Sequence, residues 1–177
     1  DDMPGMGKTT LAVAMGKVTG LTAKRIQLTP DVLPSDVVGY SVYDKNAGQM
    51  EYRPGVVTGT NLLLADEINR TSSKTQSAFL EAMEERQVTV DGVTHPLQDP
   101  FVVIATQNQV GTAGTQLLPY AQLDRFMVGL SMGYPDRAAQ MEMLKRRQNA
   151  EPMDTLCQTL TLQRVQNMQQ EVQAVLA

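Results

Sequence analysis

The sequence is poor in the residues that build disulfide-linked, histidine-metal and membrane-spanning proteins. Its one cysteine, Cys157, excludes an internal disulfide and fits a reducing compartment such as the cytoplasm. Its one histidine, His95, argues against a histidine-based metal site. No apolar run approaches the roughly 20 residues that a membrane-spanning helix needs. We therefore expect a cytoplasmic protein without a membrane span.

The charge balance argues against a nucleic-acid partner. The chain carries 15 Lys and Arg against 19 Asp and Glu, a net charge of −4, so it lacks the basic surplus of nucleic-acid-binding domains. Hydrophobic residues make up 42% of its 177 residues. That content suffices for the core of one domain or one and a half.

Strand-like and helix-like segments alternate along the chain. Continuous apolar runs at 60–68 (TNLLLADEI) and 101–108 (FVVIATQN) predict strands buried on both faces of a parallel sheet, and 23–29 predicts a shorter strand. Three helices are predicted: one directly after the opening loop, one over 72–87 and one over 135–148. This alternation predicts an α/β fold. Ligands in such folds bind beyond the carboxyl ends of the strands.

Other segments predict hairpins and a helical tail. Segment 41–53 contains the turn sequence KNAG, and 87–97 contains Asp91-Gly92, so each predicts a β-hairpin. Segment 123–134 predicts a helix end followed by a short strand. The glutamine-rich tail predicts either a disordered tract or an amphipathic helix that packs on a neighbour. The helix is favoured by apolar residues at near-helical spacing: Leu162, Val165, Met168, Val172 and Leu176.

The opening DDMPGMGKTT contains most of a phosphate-binding loop. The pattern is Gly, four residues, then Gly-Lys-Ser/Thr, and Asp2 stands where the first glycine would fall. Lys8 would reach the β- and γ-phosphates, and the Thr9 hydroxyl would bind Mg²⁺. The alternative is a glycine-rich turn before an ordinary helix. The residues predicted to hold the nucleotide are Pro4, Gly5, Met6, Gly7, Lys8, Thr9 and Thr10.

Acidic and polar residues end the two long apolar runs. Asp66 can hold Mg²⁺ and Glu67 can orient or deprotonate an attacking water, which are the two tasks of nucleotide hydrolysis. The alternative is a helix cap or a solvated acid pair. Asn108 can contact the γ-phosphate or the water. Its alternative is a turn-forming asparagine.

Arg125, in the segment LDRF, is the candidate for stabilising charge on the transferring phosphate. An arginine in this role can change the rate by ~10³–10⁵ and can come from a neighbouring subunit. The alternative is a surface ion pair with Asp124 or Asp136.

Taken in order, these motifs resemble those of AAA+ ATPases, and longer blocks resemble the MoxR family over residues 1 to about 135. The blocks are PGMGKTTLA, RIQLTPDVLPSD, EYRPG, LLLADEINR, LEAMEERQVTVDG and LPYAQLDRF. The resemblance implies a P-loop AAA+ core over 1–135, with a parallel sheet and helices on both faces. The start of a helical lid would follow over 136–177. It also implies that the first hairpin interrupts the second helix.

The resemblance further implies roles, cofactors and partners. Asp66 resembles the Walker B metal carboxylate, Glu67 the catalytic carboxylate, Asn108 the first sensor and Arg125 an arginine finger acting in trans. ATP and Mg²⁺ would be the cofactors. The protein would form a homo-oligomer, a hexameric ring, that remodels a client enzyme or matures its metal cofactor, with a von Willebrand A-domain partner. The alternatives are a magnesium-chelatase-like subunit, a helicase-like nucleic-acid motor, and a nucleotide-gated module that does not hydrolyse.

The chain also departs from the family pattern. Gln109, Gly111 and Tyr120 stand where the family usually has a proline, an acid and a glutamate, which affects a loop near the subunit interface. The family's strand before the phosphate-binding loop and its second-sensor arginine have no counterpart in these residues. We therefore expect a fragment of a longer product, with weak ATPase activity in isolation.

Overall fold

A computed structural model describes residues 7–107, 118–131, 133–149 and 152–176. The helices are α1 (Lys8–Thr19), α2 (Pro34–Val38), α3 (Ser73–Glu85), α4 (Tyr120–Leu123), α5 (Arg137–Asn149) and α6 (Leu162–Leu176). Short 3₁₀ turns cover Ile68–Arg70 and Pro152–Thr155. The strands are β1 (Ala23–Gln27), β2 (Gly39–Asp44), β3 (Gln49–Pro54), β4 (Leu62–Asp66), β5 (Gln87–Val90), β6 (Val93–Pro96) and β7 (Val102–Ala105).

The central sheet is parallel and has the order β1-β4-β7. Its register sets Gln27 opposite Asp66 and Ala65 opposite Ala105, so the three strands end at one edge. All three predicted strands are confirmed. Residues that follow β4 and β7 in sequence are thereby brought together at the carboxyl edge.

The middle strand, β4, is covered by helices on both faces, as the apolar run from Leu62 to Ala65 predicts. All five of its residues are buried. Leu62 and Leu64 border the groove beside α1. Leu63 and Ala65 belong to the core that also contains Phe79 of α3. The predicted α/β architecture is confirmed.

Gly16 lets α1 lie close to the sheet. A Cβ at this position would stand 2.8 Å from the Ala23 Cβ and 3.7 Å from Leu62 Cδ2. Both neighbours belong to strands and have little room to retreat. The lack of a side chain at Gly16 therefore sets the distance between α1 and β4.

We expect Gly16→Val to destabilise the fold by about 2–3 kcal/mol, because overfilling a packed contact forces backbone shifts. Denaturant unfolding measures the change. Met15→Val is the matched control, since Met15 lies exposed on the same helix and shows only the helix-propensity cost of a β-branched residue. Equal stability of the two variants would show that the α1–sheet contact is not tight.

Both predicted hairpins form. β2 pairs antiparallel with β3 around the turn at 45–48, where Asp44 Oδ1 accepts hydrogen bonds from the amides of Asn46 and Ala47. β5 pairs with β6 through Asp91-Gly92, whose φ angles of 50° and 78° are those of a type I′ turn. The rings of Tyr52 and His95 stack with centroids 3.7 Å apart, which connects the two hairpins.

The first hairpin does not interrupt a helix, contrary to the expectation from the resemblance. α2 ends at Val38, β2 begins at once, and residues 55–61 return to β4 without a helix. The return is tight, because a Cβ on Gly55 would lie 2.2 Å from the Val37 carbonyl oxygen. That close approach turns the chain directly toward the sheet.

The carboxyl-terminal third departs further from the sequence expectations. The short strand expected within 123–134 is wrong: α4 ends at Leu123, and residues 124–131 add no strand. Met127 and Val128 lie in solvent, so the segment has no buried apolar face to hold it extended. The helix predicted over 135–148 is confirmed as α5, which starts after Asp136 because that carboxylate accepts a hydrogen bond from Ala139 N.

The tail is helical, and part of its predicted apolar stripe faces solvent. Met168 and Val172 are exposed. Hydrogen bonds join the tail to the rest of the fold: Gln166 Nε2 donates to Asp99 O, and the amides of Thr159 and Leu160 donate to Val18 O. In the described ranges, no helix is long and apolar enough to cross a bilayer.

Candidate functional site

The amino end of α1 lies at the carboxyl edge of the sheet. Gly7 precedes the helix with a φ of 83°, a value that favours glycine, and its carbonyl accepts from Leu11 N. Lys8 Nζ donates to Gln107 O just beyond β7, at 3.3 Å. Thr9 Oγ1 lies 3.3 Å from Asp66 Oδ2 at the end of β4. The first turn of α1 thus contacts the ends of both strands.

Asp66 lies at the centre of this cluster and is buried. Its Oδ2 accepts from Thr9 Oγ1 and, at 2.7 Å, from Arg25 Nε on β1. Its Oδ1 accepts from Thr106 Oγ1 at 3.1 Å, just after β7. Because it is charged and buried, the carboxylate depends on these donors for its stability in the fold.

Glu67 adopts a left-handed backbone, with φ 58° and ψ 47°. Such a conformation is costly for a residue with a side chain, and Thr106 helps to hold it: Glu67 N donates to Thr106 Oγ1, and Ile68 N to Thr106 O. The Glu67 carboxylate forms an ion pair with Arg70 Nη1 at 2.6 Å. Backbone strain of this kind is typical of functional sites, where a side chain must be held in one orientation.

Sequence reasoning missed three members of the cluster. Thr106 occupies the tip of β7 and bonds both acids, while Arg25 and Arg70 each neutralise one of them. Arg70 could have been found, since it follows Glu67 at i+3 in the segment DEINR. Arg25 could be identified as a member of the cluster only once the pairing register of β1 with β4 is known.

Other predicted site residues lie away from the acids or outside the described ranges. Arg125 forms an exposed ion pair at 2.7 Å with Glu84, and not with the Asp124 or Asp136 that the surface-pair alternative named. Thr10 and Tyr120 are exposed. The residues that fall outside the described ranges are Pro4, Gly5, Met6, Asn108, Gln109 and Gly111.

The donor set fits Mg²⁺ bound together with a nucleotide. The Thr9 hydroxyl and the Asp66 carboxylate place two hard oxygens side by side at a helix amino end. Within the described ranges there is no cluster of three or more His, Cys, Asp or Glu that could enclose a metal. Mg²⁺ commonly takes one or two protein oxygens and completes its shell with phosphate oxygens and water.

Comparisons with known proteins agree with this geometry. Residues 1–128 match the family model described as the ATPase family associated with various cellular activities (AAA). The chain is 52% identical over 177 residues to the uncharacterised protein YeaC of Bacillus subtilis, covering all of this chain and 55% of that protein. It is 42% identical over 146 residues to Chaperone MoxR1 of Mycobacterium tuberculosis, covering 82% of this chain and 38% of that one.

A solved structure shares the fold. A crystal structure of a candidate ATPase from Cytophaga hutchinsonii superposes with a TM-score of 0.82 at 40% identity, over 97% of this chain and 52% of that one. The chain therefore spans about half the length, or less, of the relatives it matches.

Proposed function

Because the chain belongs to the MoxR family of AAA+ ATPases, we propose that it binds ATP with Mg²⁺ and hydrolyses it to ADP and phosphate. One observation carries the proposal. The first turn of α1, with Lys8 and Thr9, meets the end of β4, with Asp66 and Glu67, at one edge of the sheet, although the two pairs lie far apart in sequence. A cation, a hydroxyl and two carboxylates at a helix amino end form the donor set that phosphoryl transfer uses.

Lys8 and the backbone of the opening loop bind the phosphates in this proposal. Lys8 Nζ exchanges the Gln107 carbonyl for β- and γ-phosphate oxygens. Thr9 Oγ1 and Asp66 hold the metal, which neutralises charge on the phosphates when bound. The other nucleotide-binding residues are Pro4, Gly5, Met6, Gly7 and Thr10, and Asn108 acts as the sensor at the γ-phosphate.

Glu67 is the catalytic carboxylate. It orients a water, whose oxygen attacks the γ-phosphorus while the bond to the bridging oxygen breaks and ADP leaves. The water's proton passes to the carboxylate. The ion pair with Arg70 limits the rotation of the Glu67 side chain. The left-handed backbone of Glu67 is held in place by the hydrogen bond from its amide to Thr106 Oγ1.

ATP turnover serves to remodel a partner protein in the cytoplasm, where ATP is available. The name of the relative Chaperone MoxR1 supports this. The first hairpin supports it too, since its cross-strand pair Tyr43 and Met50 is exposed and suited to apolar contact. The proposal includes a hexameric ring in which Arg125 leaves Glu84 to reach a neighbour's nucleotide, and a von Willebrand A-domain protein and a client enzyme as partners.

Phosphate release by the full gene product tests the function. We expect release from ATP that requires Mg²⁺ and stops in EDTA. Parallel equilibrium dialysis with labelled ATP shows whether the nucleotide binds. Bound ATP without phosphate release, at every protein concentration, would contradict hydrolysis and indicate a nucleotide-gated binding module.

A further inference from the structure

Arg25, which lies on β1, contacts the proposed metal-binding carboxylate of Asp66. The parallel register sets it on β1 opposite Leu64, two residues before the strand ends. Its Nε donates to Asp66 Oδ2 at 2.7 Å, and its Nη2 donates to Gln27 Oε1 at 3.1 Å. Gln27 thus steadies the guanidinium beside the carboxylate.

The contacted oxygen is the one that faces the nucleotide site. Asp66 Oδ2 also lies 3.3 Å from Thr9 Oγ1, while Oδ1 is engaged by Thr106. A divalent cation bound between Thr9 and Asp66 would stand within a few ångströms of the guanidinium. Two cations so close repel each other. Both would also be bound by the same lone pairs, those of Asp66 Oδ2.

We propose that Arg25 competes with Mg²⁺ for Asp66 and thereby sets the Mg²⁺ concentration that nucleotide binding requires. The inference rests on the proposed function. In the metal-free state Arg25 compensates the buried charge of Asp66, whose side chain is 6% exposed. When metal and nucleotide bind, Arg25 turns into solvent. This movement costs little, because its own side chain is already 53% exposed.

The first test is the binding of a fluorescent ATP analogue to the full gene product during a Mg²⁺ titration. Arg25→Gln is expected to lower the half-saturating Mg²⁺ concentration about two- to fivefold, the effect of removing a partly exposed competing charge. Lys24→Gln is the matched control. It removes the same charge one residue away, from an ammonium that donates to Thr58 O, and should leave the titration unchanged.

Thermal unfolding gives a second readout. In EDTA without nucleotide, Arg25→Gln is expected to unfold about 2–4 °C below the native protein, because Asp66 loses its compensating charge. Saturating Mg²⁺ and nucleotide should remove the difference. Arg25→Met keeps the unbranched side chain and serves in both measurements if the glutamine variant does not fold.

The outcomes separate the inference from the function on which it rests. Nucleotide binding with the same Mg²⁺ requirement in both Arg25 variants and the native protein would overturn the inference and leave the ATPase proposal standing. An equal shift in Lys24→Gln would overturn it as well, since net charge alone would then explain the result. Absence of nucleotide binding at any Mg²⁺ concentration would overturn both.

Discussion

Glu67→Gln is expected to lower ATP turnover at least about 100-fold while ATP still binds. The amide keeps the shape of the side chain but cannot accept the proton of the attacking water, and general-base groups contribute ~10²–10⁴ to rates. The Glu67 backbone is fastened to Thr106 through its amide, which the substitution does not change. Phosphate release and the ATP dissociation constant are measured on the same full-length preparation.

Glu51→Gln is the matched control for the Glu67 variant. Glu51 lies on the first hairpin, where it forms an exposed ion pair with Arg53 at 2.9 Å. Each of the two variants therefore removes one negative charge and breaks one contact with an arginine. The control should keep its turnover. Turnover in Glu67→Gln within about threefold of the native rate would assign the proton acceptor to another residue.

Lys8→Ala is expected to weaken ATP binding about 30-fold or more and to abolish turnover at ordinary ATP concentrations. The loss corresponds to about 2 kcal/mol or more, as for one partner removed from a desolvated charge pair. The structure holds the ammonium over the site through Gln107 O. Titration calorimetry with a slowly hydrolysed ATP analogue and Mg²⁺ measures the change.

Lys17→Ala is the comparison for Lys8. Lys17 lies on the same helix, and its ammonium donates to Met153 O, away from the acids. Its removal leaves the first turn of α1 intact, so ATP affinity should stay within about twofold of the native value. An equal loss in both variants would mean that the helix as a whole, rather than the Lys8 charge, governs binding.

The sheet and the acid pair could be predicted because their signals are local. The first four residues of β4, Leu62 to Ala65, are all apolar, which a strand covered on both faces requires. The parallel arrangement then brings the strand ends together, so Asp66 had to lie near the residues that follow β7. The hairpin at Asp91-Gly92 was similarly encoded in two residues that accept positive φ.

The ion pairs of Arg25 and Arg125 could not be predicted, because each joins residues far apart in sequence. Arg25 reaches Asp66 across 41 positions, and Arg125 reaches Glu84 across the same number. Neither contact leaves a periodic pattern. The strand expected after Arg125 does not form, for a related reason. Apolar residues predict that a segment is buried, but tertiary packing decides whether another element covers it.

The most direct test of the account is the position of Mg²⁺ and the γ-phosphate in a crystal structure of the full-length Glu67→Gln protein with ATP. We expect the metal beside Thr9 Oγ1 and the Asp66 carboxylate, the γ-phosphate at Lys8 Nζ, and a water between that phosphate and residue 67. A nucleotide bound elsewhere, or phosphates at this edge of the sheet without contact to Lys8 and Asp66, would contradict the proposed active site.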